Sequence, residues 1–167
     1  MNFKSRIFLF ISILAICFSG CYSFKGISIP KDFNTFTVID FVNVEPDAPL
    51  DIEITFSEKL RAKIRNESKL RQTDTDPDIQ FEGEVNTFRV DAEAPKEGNT
   101  VDLNKLIIGV KVTYINNKNE EDTWSKSFSN FRTFSSASDL IDVQDDLIDE
   151  IFDQITESVF NEAFTDW

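Results

Sequence analysis

A thiol that follows two small residues at the end of a short apolar run is placed for acylation, and Cys21, after Phe18-Ser19-Gly20, is such a thiol. Lys4 and Arg6 form a positive n-region and Ile7 to Phe18 an apolar h-region, so this spacing predicts a lipoprotein signal peptide over residues 1–20. Twelve residues fall short of the roughly 20 that a membrane-spanning helix requires. The segment is therefore an address, and the expected anchor is the thiol of Cys21 carrying diacylglycerol, with palmitate-type acyl chains. One acyl chain binds a membrane marginally, whereas two or three hold stably. Cys17 is the rival position, but Ile16 before it is too large for the cleavage site.

Other chemistry is sparse. The chain has no histidine, which removes the commonest general base and metal ligand together. With Cys17 cleaved away and Cys21 acylated, no free thiol remains for a disulfide, a thiolate metal site or a nucleophile. The residues after the signal peptide carry 15 Lys and Arg against 30 Asp and Glu, a net charge of −15 that argues against nucleic acid as a partner. No enzymatic activity, cofactor or metal is expected.

Two charge constellations and one aromatic cluster stand out. The final helical segment carries Asp142, Asp146, Asp149, Asp153 and Glu157 on the arc between about 100° and 180° from Ile148, at 100° per residue. Like charges at that spacing are mildly destabilising, so this face is either solvated or meets a cationic partner. Calcium is weakly indicated, because no Asp-x-Asp-x-Asp-Gly loop is present. Lys59, Arg61, Lys63, Arg65, Lys69 and Arg71 form the opposite bias in thirteen residues. Their stems can cover an apolar stripe while the charges stay wet, and they suit a helix C-terminus. The functional alternative is an anion site for phosphorylated lipid. Phe160, Phe164 and Trp167 fall near 120°, 160° and 100° on the same wheel, in line with the acidic arc. Either they point away from the core as an interface, or the helix bends and tucks them back.

The elements that must position these residues follow from periodicity. Thr35 to Val44 predicts a strand, closed by Pro46 and Pro49. Ile52, Phe56, Leu60 and Ile64 recur every four residues and predict a helix ending near Ser68. Leu70 to Thr73 reads as a short edge strand and Asp74 to Asp78 as a turn. Ile79 to Val90 alternates with a phase flip that predicts a bulge near Thr87. Leu106 to Tyr114 and Trp124 to Phe128 pair across a hairpin turn at Asn116–Asn119. A last helix is predicted from Ser136, as N-cap with Asp139 in the capping-box position, to Phe164. The order β-α-β-β-β-α predicts a single α+β domain over 35–167, after a tether over 21–34. Its sheet is expected to be mainly antiparallel and four-stranded, with two helices on one face.

Cys21-Tyr22-Ser23-Phe24, Gly26, Ser28-Ile29-Pro30, Ile79-Gln80-Phe81-Glu82-Gly83-Glu84-Val85, Phe128-Ser129-Asn130-Phe131 and Val159-Phe160-Asn161-Glu162-Ala163 with Trp167 together resemble the lipopolysaccharide-assembly lipoprotein family, LptE. The resemblance implies an outer-membrane lipoprotein facing the periplasm. It would plug an LptD-like β-barrel and help lipopolysaccharide reach the outer leaflet, without catalysis. On this reading Phe160, Phe164 and Trp167 are the candidate barrel interface. Lys59, Lys63, Arg65, Lys69 and Arg71 are the candidate contacts for lipopolysaccharide. The absence of an acidic run after Cys21 fits retention on the periplasmic side. The alternative is a stand-alone periplasmic lipoprotein that binds a cation or glycan.

Overall fold

The structure, a computed structural model, describes residues 29–93 and 102–165, so the signal peptide, Cys21 and Trp167 lie outside the described residues. The chain enters the sheet through Thr35–Val38 (β1), continues in Val42–Asn43 (β2), forms the helix Ile52–Glu67 (α1) and returns through Arg71–Gln72 (β3). Three longer strands follow, Ile79–Glu93 (β4), Leu103–Asn116 (β5) and Trp124–Ser135 (β6), before the closing helix Leu140–Phe164 (α2). The sheet order is β3-β1-β4-β5-β6, with β2 also beside β4.

The α+β class and the two packed helices are as the periodicity predicts, and the buried faces of the described elements form one core. The sheet has six strands rather than four and a short fifth. The hairpins β4–β5 and β5–β6 are antiparallel, but β1 and β2 run parallel to β4, and β3 parallel to β1. The reason is the crossover: α1 carries the chain back to its starting end, so β3 and β4 run in the direction of β1. The bulge is where the phase flip places it, with the β4–β5 register shifting between Val85 and Thr87.

The predicted strand from Thr35 to Val44 is broken at residues 39–41. Phe41 turns into the core, 2% exposed, and meets Phe56 edge-on at 4.9 Å. Its N–H donates to Ser57 Oγ at 3.0 Å, while the Arg61 guanidinium donates to the Val38 carbonyl at 2.7 Å. Two side chains of α1 thus replace the ladder bonds lost at the break. Gly83 makes room for this turn, because a Cβ there would lie 2.0 Å from the Lys111 carbonyl oxygen and 2.7 Å from the Phe41 ring.

The final helix begins at Leu140, four residues after the predicted cap. Ser136 donates its N–H to Asp102 O, and Ala137 and Ser138 donate to Ser135 Oγ and O. These bonds commit Ser135–Ser138 to a turn that closes β6 before the helix can start.

Candidate functional surfaces

Helices α1 and α2 run in the same direction, and charge fills the seam between them. Lys59 pairs with Asp149 at 2.7 Å and with Asp153, and one turn on Lys63 pairs with Glu157 and, at 2.6 Å, with Glu67. The two lysine side chains are only 22% and 18% exposed. Partial burial alone would lower their pKa values, but the paired carboxylates outweigh it and hold both above the ordinary lysine value. The hydrogen bond from Lys63 holds Glu157 below the usual carboxylate range, against the opposing effect of its burial. Three of the five carboxylates on the acidic arc, Asp149, Asp153 and Glu157, therefore find their cationic partners within the chain. Of the five candidate lipopolysaccharide contacts, Lys59 and Lys63 are engaged here.

The other three are not brought into that seam. Arg65, Lys69 and Arg71 are exposed where α1 ends and β3 begins, with no carboxylate at ion-pair distance among the described residues. They lie at the end of the molecule where the tether enters. There Asp78 accepts the N–H groups of Asn34 at 2.6 Å and Thr35 at 3.0 Å, and pairs with Lys118 at 3.1 Å. Burial would raise the Asp78 pKa, but these donors outweigh it and lower it to about 2.

The aromatic expectation is corrected. Phe160 and Phe164 are 2% and 1% exposed, packed together at 4.9 Å, with Phe164 over Phe81 at 6.2 Å. They share the arc of Asp149, Asp153 and Glu157, which borders α1: the carboxylates stay largely exposed at its rim while their oxygens meet the lysines of α1. A helix lying in the angle between a sheet and a second helix is buried on two sides, so its covered arc is wider than one stripe. The carboxylates on this arc meet lysines, and the rings beyond them reach the core.

The face of the sheet opposite the helices exposes side chains that periodicity does not single out. Phe131 is 47% exposed under the Lys105 ammonium, 4.4 Å from its ring centroid. Ile39 and Val42, 46% and 54% exposed, border Glu82, Glu84 and Lys111 on the same face. A signal was present in β6, where the positions alternate with the core face as Ser125, Ser127, Ser129, Phe131 and Thr133. One ring among hydroxyls marks an exposed apolar site. Leu50 at 93% and Ile141 at 70% exposure are further such residues. Among the described residues no three acidic or thiol side chains are grouped to hold a metal ion, and no helix is long and apolar enough to cross a membrane.

A family model described as LptE, lipopolysaccharide-assembly, matches residues 33–163. No match is found among curated proteins. Among solved structures, a hypothetical protein from Chlamydia trachomatis superposes with a TM-score of 0.57 at 11% identity, covering 78% of this chain and 97% of its own. A protein from Xanthomonas campestris gives 0.57 at 10% identity, covering 84% and 91%. Lipoprotein B from Nitrosomonas europaea gives 0.51 at 11% identity, covering 86% and 90%. At these identities the likeness is one of fold.

Proposed function

The chain belongs to the LptE lipopolysaccharide-assembly family, and on that premise we propose that it is an outer-membrane lipoprotein that plugs an LptD-like β-barrel from the periplasmic side and assists lipopolysaccharide delivery to the outer leaflet. The family match over residues 33–163, nearly the whole described fold, is the observation that carries the reading. Acylated Cys21 is its anchor. Its role is assembly rather than catalysis, consistent with a chain that lacks histidine.

The barrel wall would cover the open sheet face with Phe131, Ile39 and Val42, and Trp167 remains a candidate contact. Phe160 and Phe164 do not, because they belong to the core. Of the candidate lipopolysaccharide contacts, Arg65, Lys69 and Arg71 are the ones without a carboxylate partner among the described residues, and the experiment below distinguishes lipopolysaccharide from phospholipid as what they meet.

Purification from detergent-solubilised outer membrane tests the reading. A barrel protein in stoichiometric amount supports it, as does rising sensitivity to large hydrophobic antibiotics on depletion. Normal surface lipopolysaccharide after full deletion, with no barrel recovered, would favour the stand-alone ligand-binding alternative.

A further inference from the structure

We propose that the end of the domain where the tether enters is a contact surface for the anionic phospholipid headgroups of the leaflet in which the chain is anchored. The proposal rests on acylation of Cys21. Seven residues lie between Cys21 and Ile29, and the eight Cα-to-Cα steps reach at most about 29 Å, so the lipid holds this end of the fold close to the bilayer. Ile29, Pro30 and Phe33 form one wall of a groove of about 470 Å³ whose other wall is Ser68, Lys69 and Leu70.

Charge distinguishes this end from the rest of the molecule. Segments 29–34 and 65–73 contain Lys31, Arg65, Lys69 and Arg71 against Asp32 and Glu67, in a mature chain whose net charge is −15. Glu67 is paired with Lys63, and the neighbouring Asp78 with Lys118. The exposed carboxylates Asp74 and Asp76 follow in the turn after β3. Each cation near an anionic leaflet strengthens association by about fivefold, within a screening distance of about 8 to 10 Å. The surface thus joins apolar side chains, at the point of attachment, with cations that have no carboxylate partner among the described residues. The acidic first turns of α2 lie at the opposite end, because the two helices run in the same direction, and the seam carboxylate nearest the groove, Glu157, is paired with Lys63.

The mature chain has no other free thiol, so one introduced cysteine reports position. Asn66→Cys lies in the last turn of α1 at the tether end, and Ile141→Cys lies about 30 Å further along the helix axis at the opposite end. Each variant of the acylated chain is labelled with a fluorophore and placed in nanodiscs of phosphatidylcholine, with or without phosphatidylglycerol, whose headgroups carry a nitroxide quencher. Quenching at position 66 should require phosphatidylglycerol and weaken with salt. It should also fall by more than about fivefold, the loss expected from removing one cation, for each of the reversals Lys31→Glu, Lys69→Glu and Arg71→Glu in affinity terms, while position 141 stays unquenched. Equal quenching with and without phosphatidylglycerol, or indifference to charge reversal, would show that only the tether holds the domain. Quenching that appears with lipid A but not with phosphatidylglycerol would also overturn the proposal and assign the cations to lipopolysaccharide. Intact mass identifies a chain without acyl groups. That result would sink the anchoring reading alone, and flotation of that chain with phosphatidylglycerol vesicles would then decide the surface.

Discussion

Lys59 of α1 sets its ammonium 2.7 Å from the Asp149 carboxylate of α2, joining two helices through residues ninety positions apart in the chain. The same lysine reaches Asp153, and Lys63 repeats the arrangement with Glu157. A helix that carries eight acidic residues between Asp142 and Glu162 is thereby docked beside the most basic segment of the protein. These pairs are partly exposed, so each contributes modestly.

Replacing Lys59 and Lys63 together by alanine should destabilise the fold by about 1 to 2 kcal/mol, at roughly 0.2 to 1 kcal/mol per pair, and high salt should narrow the difference. Urea unfolding at low and high salt measures both effects. Arg65→Ala, on the exposed side of the same helix, should stay within about 0.5 kcal/mol. Loss of lipid binding on reversal of Lys63 would consequently report on helix docking before it reported on contact.

Phe160→Ala should cost about 3 to 5 kcal/mol, as expected for a buried ring removed from a packed core. Ile141→Ala, at 70% exposure, should cost less than about 0.5 kcal/mol. Thermal melts of the two variants separate a core role for α2's aromatic arc from a surface role. A Phe160→Ala melt like that of the parent protein would restore the interface reading.

Acid stability should depend on Asp78. Its folded pKa, about 2, lies below the ordinary aspartate value of 3.8, so its contribution is fully present above about pH 4 and is lost as pH falls from there through about 2. Glu157 is shifted in the same direction and acts in the same acidic window. Lys59 and Lys63 are raised, so their contribution holds below the unfolded lysine pKa and fades only at strongly alkaline pH. Asp78→Asn should flatten the acid limb of a stability-versus-pH curve and lower stability at neutral pH by about 1 to 2 kcal/mol. An unchanged acid limb would remove Asp78 from the account.

Gly83→Ala should destabilise by about 2 kcal/mol or more, because its Cβ would meet the Lys111 backbone carbonyl, which cannot move without breaking the β4–β5 ladder. Ser57→Ala should cost about 1 to 3 kcal/mol by leaving the buried Phe41 N–H without an acceptor. Hydrogen exchange at Phe41 would resolve the second effect: faster exchange in Ser57→Ala is the expected result.

The sequence by itself determined the elements whose signal is local. The four-residue recurrence of Ile52, Phe56, Leu60 and Ile64 marks α1 because one apolar stripe suffices for a helix with one main neighbour. The phase flip at Thr87 marks the bulge because strand side chains alternate faces at every residue. Cys21 stands out by the residues before it. Tertiary structure alone decided what depends on a second neighbour or a distant partner. A helical wheel gives the direction of one contact, so it could not show that α2 packs on both the sheet and α1, with the buried Phe160 and Phe164 on the same arc as the exposed, lysine-paired Asp149 and Asp153. The parallel edge of β1, β2 and β3 depends on where α1 returns the chain. The break at Phe41 depends on Ser57 and Arg61, which lie sixteen and twenty residues further along the chain and become its partners only once α1 has docked.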